Sequence, residues 1–430
     1  MSQATQPAPP SAAPKVNIPV SVAAGPPRAR AEAAAQDPGA VPAMLTRLRL
    51  AATLVCLLAA ALTALQLLTS WQATRAAAAQ TEQLVRVQSI KVNLLRADAL
   101  ATNAFLVGGL EPATQRAAYD AAVAQVTHDI ADAAEAQPAD RAVLSALNEA
   151  VLGYGTSMEL ARANNRQGFP VGAAYLSQAS GTLRATTLPL VDALVTANQA
   201  RAQDSMGSPR AWLVVVPGIL GIAALVLVNN WIATRFRRRV NVGLAVGAAA
   251  LLVATLGAGW VTASQGSENA ALSRGDFRSV VRGADARSAA NDAKANESLR
   301  LINRGNGAAN EAKWVAAAKT VTADTSGTAA TQWQAYAAKH QAIVTLDTAG
   351  SWDDAVSAAT STAADSSSAA FDAVDRTLRQ GVDQSGARAT DALRGGVVLF
   401  VVMAALAALA GLVAAGTSWA GISRRLEEYA

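Results

Sequence analysis

The side chains able to do chemistry are few and poorly grouped. Two histidines, His128 and His340, and one cysteine, Cys56, leave no set of imidazoles or thiolates with metal-ligand spacing. No HExxH, Walker A, G-x-S-x-G elbow or CxxC occurs. Cys56 has no second cysteine to pair with. It follows Val55, where a lipoprotein acylation signal carries Gly, Ala or Ser. The adjacent acids Asp353 and Asp354 stand at an expected helix start, where they complement the helix dipole rather than form a general acid–base pair. These residues point away from an enzyme, and neither a cofactor nor a metal is expected.

Recognition chemistry is better represented. Arg235, Arg237, Arg238 and Arg239 crowd one short segment and suit anionic lipid or an acidic partner face, although setting membrane orientation is their simpler role. Arg424 and Arg425, in the tail Ser423-Arg424-Arg425-Leu426-Glu427-Glu428-Tyr429, offer either a small docking turn or a frayed charged end. Arg96 and Arg300, each read as near the middle of a long helix, either clamp a carboxylate or lie on a solvated surface, the commoner case. Trp314 and Trp333 come level if their helices form a hairpin about residue 325. They then either receive a ligand or partner, or fill a core otherwise made of alanine, which is the usual role of such rings. His128 and His340 read as surface residues.

The elements that must carry these side chains are helical and membrane-embedded. The 430 residues are 52% hydrophobic but only 16% charged, against about 25% charged in an average soluble domain. Four stretches have no charge and suffice to cross a bilayer: Leu50 to Thr74, Ala211 to Thr234, Val240 to Ser267 and Gly395 to Ser423. Trp71, Trp212, Trp231, Trp260 and Trp419 sit at or near their ends, as an aromatic belt does. Spans without acids or bases argue against a pump or coupled transporter. Gly243 and Gly247 form a GxxxG in the third span, either a helix contact or incidental small residues. The net charge of +5 gathers beside the spans, with +3 before the first and +4 between the second and third. It therefore reads as orientation with both termini inside, and not as a nucleic-acid surface.

The resulting organisation is a Pro/Ala-rich disordered inner tail (1–47), a first span (48–74), an outer segment (75–210), a second span (211–233), an Arg-rich inner loop (234–239), a third span (240–263), a second outer segment (264–394), a fourth span (395–421) and a short inner tail (422–430). Breakers cut each outer segment into four helices of roughly 35 to 40 residues. They are Gly108-Gly109 with Pro112, Pro138, and Gly168 with Pro170 in the first, and Gly305 with Gly307, Thr325 to Gly327, and Gly350 in the second. Val87, Ile90, Leu94, Ala97, Ala101 and Ala104 alternate steps of three and four, as a core stripe does. Breaks and short matches recur between the segments, Asp98-Ala99 with Asp292-Ala293 and Asp192-Ala193 with Asp372-Ala373, which suggests a tandem duplication. The fold class is all-α: four transmembrane helices with two tandem extracytoplasmic four-helix bundles.

Each half resembles the four-helix sensor bundle that chemotaxis receptors carry between two spans. The whole chain is similar to the GlnX-type four-pass membrane proteins of actinobacteria. That resemblance implies a non-enzymatic relay of an amino-acid signal, with an extracytoplasmic solute-binding lipoprotein outside, a soluble Ser/Thr protein kinase G inside, and membrane lipid around the spans. It assigns no functional residue. A direct small-molecule sensor and an envelope scaffold packing on itself or on other membrane proteins remain alternatives, and a homo-oligomer stays open.

Overall fold

The computed structural model describes residues 40–107, 111–168, 171–207, 210–236 and 240–427. These form thirteen α-helices, with no strand among the described residues. They are α1 Ala40–Val107, α2 Ala113–Ala136, α3 Arg141–Arg166, α4 Val171–Thr182, α5 Leu188–Gly207, α6 Ala211–Phe236 and α7 Val242–Arg274, followed by α8 Asp276–Ile302, α9 Ala308–Asp324, α10 Gly327–Thr348, α11 Trp352–Thr360, α12 Ser367–Gly395 and α13 Val397–Leu426. A π-helical turn, Leu183–Thr187, joins α4 to α5. Ala- and Leu-rich sequence favours helix throughout, so the breakers decide where each helix ends. Gly305 and Gly350 follow α8 and α10 with φ of +77° and +83°, a conformation that glycine adopts without the Cβ penalty. Ser366 caps α12, its hydroxyl accepting from the Ala369 amide at 3.1 Å.

Four helical stretches are long and apolar enough to cross a membrane. They meet as a four-membered ring in which α1 touches α6 and α13, and α7 closes the other side. Small residues set the spacing. A Cβ on Gly243 would lie 2.7 Å from the Cα of Gly421, and one on Gly247 would lie 3.0 Å from the Ser418 hydroxyl. The GxxxG is therefore a contact face against α13.

Beyond the spans, the far half of α1 packs with α2, α3 and the α4–α5 arm. Val87, Ile90, Leu94, Ala97 and Ala101, the stripe expected from the 3–4 spacing, are buried in that core beside Leu147, Tyr154 and Met158. The second bundle packs α8, α9, α10 and the α11–α12 arm around Trp314, Trp333, Tyr336 and Phe371.

The structure differs from the sequence expectation in several places. Helix α1 begins at Ala40, inside the segment read as an unstructured tail, and residues 1–39 lie outside the described set. The helices α2, α3, α8, α9 and α10 are shorter than 35 residues, at 24, 26, 27, 17 and 22. The last arm of the second bundle is interrupted after Thr360, where Ser/Thr/Asp-rich sequence competes with helical bonding. The chain also breaks at Gly275, between α7 and α8, and at Gly396, between α12 and α13. Gly108, Gly109, Pro170, Pro209 and the Arg237–Arg239 run lie outside the described residues. The two bundles do not stand apart: α1 lies along α8 and α12, forming one seam.

Candidate functional site

The seam explains residues whose polarity otherwise has no place. On α1, the apolar stripe faces its own core, and Gln88, Asp98, Thr102 and Asn103 are buried as well. On α8, Arg287, Asn291, Lys294, Asn296 and Glu297 are buried as well. Buried charge is costly unless paired and hydrogen-bonded, and here nearly every charge is paired.

Arg184, on the π-helical turn, bridges the bundles. Its guanidinium donates to Asp98 of α1 at 2.7 Å and to Asp292 of α8 at 2.6 Å. Asp98 is fully buried and also accepts from the Tyr154 and Ser180 hydroxyls. Burial alone would lower the Arg184 pKa, but the two carboxylates outweigh it and raise it. Asp375 of α12 makes the second bridge. It pairs with Arg96 of α1 across the seam and accepts from Arg287 at 2.7 Å and from Asn291 at 3.2 Å. Burial would push its carboxyl up, yet Arg287 and Arg96 hold it below the usual range. Asn103 reaches from α1 to the Ala359 carbonyl at 3.2 Å, and Ser177 meets Asn303 at 3.2 Å.

A second network fills the middle of bundle two. Fully buried Glu297 accepts from Lys294 at 2.7 Å and from Tyr336 at 3.1 Å, and meets Nδ1 of His340 at 2.9 Å. The other ring nitrogen of His340 faces Glu311 at 3.3 Å. Trp314 stacks on the imidazole with 3.8 Å between centroids, and on Trp333 with 5.9 Å. Burial opposes the charge on Glu297, but Lys294 and His340 bring its pKa down to about 2.

Two cavities open beside these networks. One of about 460 Å³ lies at the seam, with Arg96, Asn103 and Gln115 on one wall and Asn291, Lys294 and Asp372 on the other. Another of about 220 Å³ lies within bundle one, between Arg116, Arg162 and Arg166 over Phe105, Met158 and Leu176. Among the described residues no group of histidine, cysteine and acidic side chains could hold a metal.

The candidates from sequence separate clearly. Arg96 is not a freely solvated arginine: it pairs with Asp375 across the seam and lines the larger cavity. Arg300 lies in the last turn of α8, not mid-helix, tied to Glu311 at 3.3 Å and Asp347 at 3.0 Å. Trp314 and Trp333 do meet at one level, as core. His128 is exposed, but His340 is fully buried, contrary to the surface expectation: Glu297 is the hydrogen-bond partner of its Nδ1, while Nε2 lies 3.3 Å from Glu311 without a hydrogen bond. Arg424 is exposed at the end of α13 and Arg425 half-buried beside it. Arg237, Arg238 and Arg239 lie outside the described residues. Sequence reasoning missed Arg184, Arg287, Asp375 and Glu297. The available signal was a helix, α8, with charged or amide residues on almost every face and thus no solvated side to give them.

No curated protein and no solved structure matches the chain. Residues 73–207, the first bundle from the outer part of α1 to the end of α5, match the family model of an actinobacterial sensor domain, and this fits a multi-pass sensor of an actinobacterial membrane.

Proposed function

We propose that this protein is a non-enzymatic transmembrane signalling relay. The observation that carries the reading is the continuity of α1: the helix that opens the matched sensor domain is the same unbroken helix that forms the first apolar span. A change in the bundle therefore reaches the far side of the bilayer along one helix, and shifts of about 1–2 Å suffice in such transitions. The bundles face outward and both termini inward, with the arginines of the 234–239 loop on the inner face. The outer partner is a solute-binding lipoprotein reporting amino acids, and the inner partner is a Ser/Thr kinase, as in the GlnX-type proteins this chain resembles. The two halves descend from one duplicated unit. Asp98 and Asp292, counterparts in that alignment, both hold Arg184, which supports the pairing of halves.

Affinity purification of the full chain from membranes under mild crosslinking tests this. The expected result is recovery of an outer binding protein together with an inner kinase, and recovery of neither overturns the relay. A second reading, direct sensing of a small molecule by the bundles, is favoured by the polar cavity at the seam.

A further inference from the structure

The seam cavity has an unusual complement of unused hydrogen-bonding atoms. Its cationic lining residues are Arg96 and, on the opposite wall, Lys294. Arg96 directs one terminal nitrogen to Asp375, leaving Nε and the other terminal nitrogen with N–H groups to give. Lys294 gives one of its three N–H groups to Glu297. Its acceptor-bearing lining residues are Asp372 and Asn291 on the Lys294 wall and Gln115 on the Arg96 wall. The Asn291 side chain is fully buried and its Oδ1 has no hydrogen-bond partner, and Oε1 of Gln115 is likewise buried and unpartnered. A buried carbonyl without a donor costs on the order of 1–3 kcal/mol, and two of the residues that line this cavity carry one. Partial desolvation holds the Asp372 carboxyl above its usual range, although Arg96 and Lys294 lie near enough to lower it. Phe371 and Leu100 add apolar lining.

We infer that this cavity is a binding site for a compact zwitterion, whose carboxylate meets Arg96 and Lys294 and whose N–H donors meet Asp372, Asn291 and Gln115. A pure anion leaves the carbonyls and Asp372 unanswered, and a pure cation meets two positive charges. A volume of about 460 Å³ admits a dipeptide-sized molecule. Because Arg96 belongs to α1 and the facing groups to α8 and α12, an occupant ties the bundles across the seam and bears on the Arg96–Asp375 and Lys294–Glu297 pairs. The inference rests on the sensory reading of the chain, but not on the identity of its partners.

Calorimetric titration of the full chain in lipid nanodiscs tests it, with β-alanine, L-leucine and glycyl-leucine as zwitterions, succinate as anion and putrescine as cation. At least one zwitterion should saturate the chain, with succinate and putrescine weaker by about tenfold or more. Asp372 makes no side-chain ion pair or hydrogen bond among the described residues, so Asp372→Asn should keep the wild-type melting curve. That variant should lose roughly ten- to hundredfold in zwitterion affinity while succinate binding stays level or improves. No saturation by any of the three zwitterions, or an Asp372→Asn affinity equal to wild type, overturns the site. Partner capture reads the relay separately: binding without capture keeps the site and loses the relay, and capture without binding does the reverse.

Discussion

Removing the Arg184 side chain is the sharpest probe of the seam. In Arg184→Met the alkyl stem keeps its packing while the guanidinium disappears. Asp98, fully buried, is left with only the Tyr154 and Ser180 hydroxyls. Breaking a buried pair from one side costs about 3–5 kcal/mol because the remaining charge stays buried. Asp292 is partly exposed, with side-chain accessibility of 28%, and its share is at most about 1 kcal/mol. If the loss comes from stranding Asp98, Asp98→Asn in the same chain restores much of it, since the amide still accepts from both hydroxyls. The coupling between the two substitutions should reach about 2 kcal/mol. Hydrogen–deuterium exchange of the full chain reads this locally. Amides of residues 176–190, and those of α8 facing them, should exchange on the order of a hundredfold faster in Arg184→Met and recover substantially in the double variant. Acceleration below about tenfold, or a double variant worse than either single one, would refute the view that Arg184 neutralises a stranded charge.

Three further outcomes follow from the same structure. Glu297 has a folded-state pKa of about 2 against an ordinary 4.5, so its pairing stabilises the fold above pH 4.5. That contribution, at most about 3 kcal/mol, drains away as pH falls toward 2. Melting curves between pH 5.5 and 3 should show this acid limb flattened in Glu297→Gln, and an unchanged limb would exclude Glu297 as its source. Gly243→Leu should cost about 1–3 kcal/mol by forcing α7 from α13, whereas Gly416→Leu, with no atom near its added Cβ, should melt like wild type; equal melting of the two variants would sink the contact. Replacing Arg237, Arg238 and Arg239 by Ala should disturb orientation as read by topology reporters. Intact orientation with failed signalling would instead assign these arginines to docking, and no change in either would remove both roles.

The helices and spans were legible because their signals are local. Charge-free runs, tryptophans at their ends and the Val87–Ala101 spacing all report on a few turns of chain. The breaks at Pro138, Gly305 and Gly350 are likewise local chemistry. The seam was not legible. Asp375 meets Arg96 over 279 positions of sequence, and Arg184 meets Asp292 over 108. A polar helical face carries the same spacing whether water or another polar helix covers it. His340 illustrates the point: an isolated histidine on α10 reads as surface until Glu297 and Glu311 are seen to flank it. The break after Thr360 was missed because no glycine or proline marks it, only a cluster of hydroxyls competing for backbone bonds. Arg96 was read as either clamp or surface, and its pairing with Asp375 of α12 lay out of reach of the local sequence.

The geometry of α1 has a mechanical consequence. At 1.5 Å per residue, its 68 residues make a rod of about 100 Å, and it is the element shared by both lobes and by the ring of spans. The paths through α8 and α12 each have a joint, at Gly275 and Gly396, before they reach the lipid. Both joints lie on the second lobe's connections, whereas α1 runs from the lobes into its span without one. In the relay proposed above, displacements of both lobes would converge on this one helix, whose near end carries Arg49 with its guanidinium 3.9 Å over the Trp419 ring.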